Sequence, residues 1–295
     1  MPNVTANGIR IEYDTFGKPG DQPLLLVMGL GGQMIQWHEE FCQQLAQRGH
    51  YVIRFDNRDV GLSTKLDEAG VPDIFGIVRA VASGEPVRVP YTLDDMADDA
   101  VGLLDALGID GAHVCGASMG GMIAQTIAIR RPERVRSLVS IMSTTGHRDL
   151  PQAKPEVFSL LVTPAPADRA GFIDHSVVLW RTIGSPGFPF DEQMTRERSA
   201  LTYDRCFHPA GPARQLAAIL AHGSRREALR GVKVPALVIH GADDPLIPVE
   251  GGRDTAAAIP GAELIVIEGM GHDNPRPIWP RLVGAIADLT RRARG

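Results

Sequence analysis

Cysteine is scarce in this sequence. Cys42, Cys115 and Cys206 are the only three in 295 residues, with no CxxC pair and no regular spacing. That excludes a disulfide framework and a thiolate metal ribbon, and leaves reduced thiols in a cytosolic setting as the expectation. Positive charge is not in excess. Thirty Lys and Arg stand against 35 Asp and Glu, for a formal net charge of -5. With no basic run or stripe, a nucleic-acid partner is not expected. Long apolar runs are missing as well. The stretch Pro23 to Met28 is typical, far below the roughly 20 residues that cross a bilayer. The opening MPNVTANGIRIEYD is polar, with no charged-then-apolar leader, so a cytoplasmic protein without a membrane span is expected. There is no GxxxxGK[ST], no H-E-x-x-H or H-x-x-E-H and no internal repeat. Neither a metal nor a cofactor is therefore expected, and nothing in the chain specifies an oligomeric state.

What the chain does contain is an alternation. Strand-length apolar runs occur at 24–28, 51–55, 112–115, 136–142, 236–240 and 263–267. Such continuous runs suit strands covered on both faces, as in a parallel sheet. Helical patterns lie between them at 36–47, 93–107, 118–131, 255–259 and 280–292. The second carries apolar residues at 93, 96, 97, 100, 101, 103, 104 and 107, a helical stripe. Asn7-Gly8 between two short extended stretches predicts a β-hairpin. The whole is an α/β chain with a mostly parallel, doubly wound sheet. From 146 to 229 no strand-like run appears. Helical stretches at 172–183, 191–203 and 213–230 alternate there with proline-rich turns. A long structureless loop is improbable in a compact domain, so this span is expected to be an inserted helical cap. The core would then be 1–145 and 230–295.

Chemistry concentrates where strands end. Gly116-Ala117-Ser118-Met119-Gly120-Gly121 joins a strand to a helix, the context required of a G-x-S-x-G elbow. Its sharp turn would lift the Ser118 hydroxyl above the sheet and set the Met119 N–H at a helix N-terminus, facing a developing oxyanion. A serine hydroxyl is a weak nucleophile and needs a base. Among nine histidines, His272 lies in Gly-Met-Gly-His-Asp just past the last strand run, at the same sheet edge. The base in turn needs a carboxylate to fix its tautomer. Asp243 and Asp244, in His240-Gly-Ala-Asp-Asp-Pro, both follow the preceding strand, and Asp149 is a third candidate. A second oxyanion donor is expected from Met28-Gly29-Leu30-Gly31-Gly32, with the Leu30 N–H best placed. The charged run Asp56-Asn57-Arg58-Asp59-Val60-Gly61-Leu62-Ser63 reads as a structural loop held by ion pairs and Asx turns.

Taken together and in this order, Gly-Ala-Ser-Met-Gly-Gly, His-Gly-Ala-Asp-Asp-Pro and Gly-Met-Gly-His-Asp resemble the α/β-hydrolase superfamily through the whole core. The resemblance implies a Ser-Asp-His triad. The family's acid usually ends a Gly-x-x-Asp turn, which corresponds to Asp244. It also implies an oxyanion hole of the Leu30 and Met119 N–H groups, although Met28 stands where the family usually has the histidine of a His-Gly pair. Leu-Leu-Leu-Val-Met-Gly (24–29), Val-Ile-Arg-Phe-Asp-Asn-Arg-Asp (52–59) and Ile-Glu-Gly-Met-Gly-His (267–272) are similar to aclacinomycin methylesterase-like enzymes and bacterial carboxylesterases. The expected activity is hydrolysis of a small-molecule ester, hydrophobic and of short-to-medium chain or cyclic, through an acyl-enzyme. Phe158, Phe172, Trp180 and Phe188 of the cap are expected to contribute a substrate pocket. A cofactor-free perhydrolase (haloperoxidase type), a polyketide methylesterase, a thioesterase and a C–C bond hydrolase are the competing enzymes. A hydrolase-like ligand receptor is the non-enzymatic alternative.

Overall fold

A computed structural model describes residues 2–293. Eight strands form one sheet: β1 (Asn3–Ala6), β2 (Ile9–Phe16), β3 (Gln22–Val27), β4 (His50–Phe55), β5 (Ala112–Ala117), β6 (Val135–Ile141), β7 (Ala236–Gly241) and β8 (Glu263–Ile267). Their spatial order is β1-β2-β4-β3-β5-β6-β7-β8. The hairpin at Asn7-Gly8 makes β1 and β2 antiparallel, and β2 runs antiparallel to β4. Every other neighbour is parallel. Because those ladders are in register near their ends, Val27 faces Gly116, Ala117 faces Ile141, and Gly241 faces Ile267. The residues following these strands emerge along one rim of the sheet, where open α/β sheets place ligands.

Helices cover both faces. They are α1 (Glu39–Ala46), α2 (Ile74–Ser83), α3 (Leu93–Ala106), α4 (Met119–Arg130), α5 (Pro155–Val162), α6 (Arg169–Ile183), α7 (Glu192–Arg205), α8 (Ala210–His222), α9 (Arg226–Leu229), α10 (Val249–Ala258) and α11 (Trp279–Arg292). Successive strand side chains alternate between two cores. Leu25 and Val27 join residues of α3 and α4 on one face, while Leu24 and Leu26 join residues of α1 and α11 on the other. This two-sided burial is why the strands read as unbroken apolar runs. The span 146–229 forms α5 to α9 with no strand.

Several segments differ from the periodicity. The 36–47 helix is shorter, because a 3₁₀ turn (Met34–Gln36) precedes α1. The 213–230 stretch is two helices, broken where Gly223 takes a φ of 74°, outside helical geometry. Helix α10 begins at Val249, ahead of the 255–259 stretch; α5 has no counterpart in the helix pattern, and neither has α2. Its local signals are Asp73, whose carboxylate accepts the Gly76 N–H, and Gly84 in the left-handed region.

The 56–63 loop is a hub of buried charge. Asp56 accepts the backbone N–H groups of Met34 and Leu62 and pairs with Arg205 of α7 at 2.7 Å. Arg58 grips Asp99 of α3 at 2.6 Å. Arg214 of α8 forks onto Asp59, with bonds of 2.8 and 2.7 Å. Burial pushes the Asp59 carboxyl up, but the bonds from Arg214 and the Leu66 N–H outweigh it and hold it below the usual range. Arg214→Ala should therefore cost roughly 3–5 kcal/mol, because it strands a buried carboxylate. Urea unfolding checks this; a variant as stable as the parent would contradict it.

Candidate active site

Ser118 sits between β5 and α4 with φ 56° and ψ −121°, a conformation costly for a residue with a side chain. The strain is held from several sides. The Ser118 N–H donates to Ile141 O at 2.9 Å, and Ser143 Oγ donates to Ser118 O at 2.8 Å. Glycine is required around it. A Cβ on Gly116 would lie 2.0 Å from Gly120 O, and one on Gly120 would lie 2.0 Å from Val27 O. No side chain fits either place, so the elbow closes only with glycine there.

Ser118 Oγ donates to His272 Nε2 at 2.9 Å, and His272 Nδ1 donates to Asp244 Oδ2 at 2.6 Å. The roles follow from the acceptor-only carboxylate, which places the imidazole proton on Nδ1 and leaves Nε2 free to accept. The other Asp244 oxygen accepts the N–H groups of Leu246 and Ile247 at 2.9 and 2.8 Å. Asp244 and His272 are buried. Asp243 points elsewhere and accepts the Gly269 N–H at 2.8 Å. Asp149 is exposed, 3.5 Å from His147.

The Leu30 loop lies against the elbow. A Cβ built on Gly29 would be 3.1 Å from Ser118 Cβ. Met119 is the first residue of α4, so its N–H has no carbonyl of its own helix to meet. Leu30 and Ser118 line a common cavity, with buried Met119 directly beside the serine in the chain. Where a histidine would brace this loop, other residues do so. Asn57 Nδ2 donates to Met28 O at 2.9 Å, and the Gly31 N–H donates to Gln215 Oε1 at 2.8 Å. Gln215 Nε2 in turn donates to Arg58 O.

Sequence reasoning missed these braces and two more. His240 is wholly buried behind the acid loop, with its Nε2 donating to Ile247 O at 2.8 Å. Burial holds its pKa below the ordinary histidine value, against the pull of the Ile247 carbonyl and the Asp244 carboxylate. Ser185, after α6, donates to Asp273 and accepts the Gly271 N–H at 3.0 Å, while the His272 N–H donates to Ile183 O at 2.7 Å. The helical span thus grips the histidine loop directly. The only early signal for Ser185 was its Gly-Ser-Pro-Gly turn.

Ser118 and His272 open into a cavity of about 1820 Å³. Phe172, Trp180 and Phe188 line it, together with Met28, Leu161 and Phe190. Phe158 does not. Helix α5 buries Val157 and turns the next side chain about a quarter-turn away, leaving Phe158 half-buried outside the lining. Cys206 also lines the cavity, whereas Cys42 and Cys115 are core residues whose thiol pKa values burial pushes up, Cys42 to about 12. All three thiols are free. Among the described residues no group of three metal-ligating side chains converges, and no helix is long and apolar enough to cross a membrane.

Residues 22–275 match the family model described as alpha/beta hydrolase fold, and the chain belongs to that family. It is an enzyme of the α/β-hydrolase superfamily. Among curated proteins it is 31% identical to the rhodomycin D methylesterase DauP of Streptomyces sp. (strain C5), covering 98% of each chain. It is 30% identical to the rhodomycin D methylesterase DnrP of Streptomyces peucetius, again over 98% of each. The fold is shared with the crystal structure of the enol-lactonase from Burkholderia xenovorans LB400, with a TM-score of 0.71 at 24% identity over 98% of this chain and 100% of the other.

Proposed function

We propose that this protein is a serine carboxylic-ester hydrolase working through an acyl-enzyme. The observation that carries the reading is the unbroken hydrogen-bonded line from Asp244 through His272 to Ser118. In the first step Ser118 Oγ attacks the ester carbonyl as its proton passes to His272 Nε2. Asp244 holds the imidazole and stabilises the imidazolium. The tetrahedral oxyanion takes hydrogen bonds from the Met119 and Leu30 N–H groups, the former strengthened by the positive end of α4. His272 returns the proton to the departing alcohol. Water, deprotonated by the same nitrogen, then releases the acid and restores Ser118.

The helices of 146–229 act as a cap over this site. The cavity exceeds the roughly 300–1,000 Å³ usual for small-molecule sites. That size, with aromatic side chains from α6 and its following turn, favours a bulky, largely apolar acid portion. Two relatives named methylesterases support a small alcohol leaving group. The test is a panel of purified-protein assays over alkyl esters, methyl esters of polycyclic acids, lactones and thioesters, with peroxide-dependent bromination beside them. Methyl esters with bulky apolar acid parts should be turned over fastest. Activity confined to thioesters or to peroxide-dependent bromination would reject the reading.

A further inference from the structure

One wall of the cavity is unlike the rest. Trp37, His38, Arg198, Asn274 and Arg276 line it. The segment carrying Trp37 and His38 is tied to α7, because Gln33 Nε2 donates to Thr202 O and Gln36 Nε2 reaches Thr202 Oγ1. Thr202 is one helical turn beyond Arg198, on the same side of α7. The ring of His38 lies 5.1 Å from that of Trp279, over which the Arg276 guanidinium sits at 5.4 Å.

Three guanidiniums therefore gather here, and two are neutralised. Arg54 bonds Asp14 at 2.8 Å, and Arg276 bonds Glu40 at 2.8 Å. Arg198 has no hydrogen-bond or ion-pair partner among the described residues, and its Nε is buried without one. The positive field is felt locally. Burial, then Arg198, Arg276 and Arg54, push the His38 imidazole down to about 3. Burial, then Arg54 and more weakly Arg276, also lower Arg198 itself, while the Glu39 carboxylate pulls the other way. A half-buried guanidinium without a hydrogen-bond partner is costly to hold, and the cost is recovered when an anion docks.

We infer that Arg198 forms an anion subsite for a carboxylate carried by the substrate at a distance from the ester that Ser118 attacks. The substrate is then a half-ester: an apolar body with one neutral ester and one free carboxylate. Arg198 supplies a charge-assisted bond, which exceeds a neutral one in strength. A carboxylate held by Arg198 at this wall leaves the ester end of the substrate to reach the serine. This deepens the proposed function and rests on it for the identity of the scissile group.

The test uses the monomethyl and dimethyl esters of adipic, suberic and sebacic acids, so that each half-ester has a neutral partner of nearly equal size. The ratio of kcat/KM for the half-ester to that for the diester is compared between wild type and Arg198→Gln. At the best-fitting length the ratio should fall at least tenfold, mainly through KM, with partial recovery in Arg198→Lys. A ratio unchanged within twofold at every length overturns the subsite. Calorimetric titration of Ser118→Ala protein with monomethyl sebacate separates the two claims, since it needs no turnover. If wild type hydrolyses none of these esters and none of the esters of the wider panel, the esterase reading fails. Binding that weakens on adding Arg198→Gln still upholds the subsite. No binding, or binding indifferent to Arg198, overturns it.

Discussion

Ser118→Ala should lower kcat for any accepted ester by on the order of 10⁶-fold. The magnitude follows from the lack of a substitute. Without Oγ no covalent intermediate forms, and water would have to attack the ester directly. The residual rate comes from the oxyanion donors and from binding alone. Folding should be untouched. Ser118 donates only one side-chain bond, to His272, and the backbone φ of 56° is no worse for alanine than for serine. Ester hydrolysis on purified variant, checked against thermal unfolding, measures both. A variant within a hundredfold of wild type would place the nucleophile elsewhere.

Asp244→Asn should cost roughly 10⁴-fold in kcat with little change in overall structure. The amide would still accept the Leu246 and Ile247 N–H groups through its carbonyl oxygen. Its NH₂ would then face His272 Nδ1, which must switch to acceptor and carry its proton on Nε2. That nitrogen could no longer take the Ser118 proton. Asp243→Asn is the matched control: among the described residues its carboxylate meets only the Gly269 N–H, a bond an amide oxygen keeps, and its loss should stay under about tenfold. Steady-state kinetics on the two variants side by side checks the assignment. If Asp243→Asn proved the more damaging, the acid would move by one residue.

Much of this arrangement is written into local sequence, and the reason is specific. A buried parallel strand leaves an unbroken apolar run, so β3, β4, β5, β6, β7 and β8 were legible to within two residues at each end. The chemistry of the fold sits just past those ends, so Ser118, His272 and the Asp243-Asp244 pair stood out from position and residue type. Choosing between the two aspartates needed the family's turn pattern, because which neighbour faces a histidine 28 residues on is a tertiary fact. What stayed hidden depends on contacts far apart in the chain. Gln215 bracing the Gly31 loop spans 184 residues, and Ser185 holding Asp273 spans 88. Nothing in either local stretch signals such a contact. Phe158 shows the converse error: an aromatic in the cap was assigned to the pocket on residue type, and helix rotation turned it aside. The charged 56–63 run was read as structural from its turn chemistry. Its partners Arg205 and Arg214, on α7 and α8, could come only from the fold.

The most direct measurement is the site of a covalent adduct. The protein is treated with a fluorophosphonate ester, digested, and mapped by mass spectrometry, with His272→Ala protein alongside. One phosphonyl group should appear on the peptide containing Ser118, on that residue, with its formation slowed by orders of magnitude in the histidine variant. An adduct on another side chain, or labelling of Ser118 at the same rate without the imidazole, would contradict the relay from Asp244 through His272 to the serine.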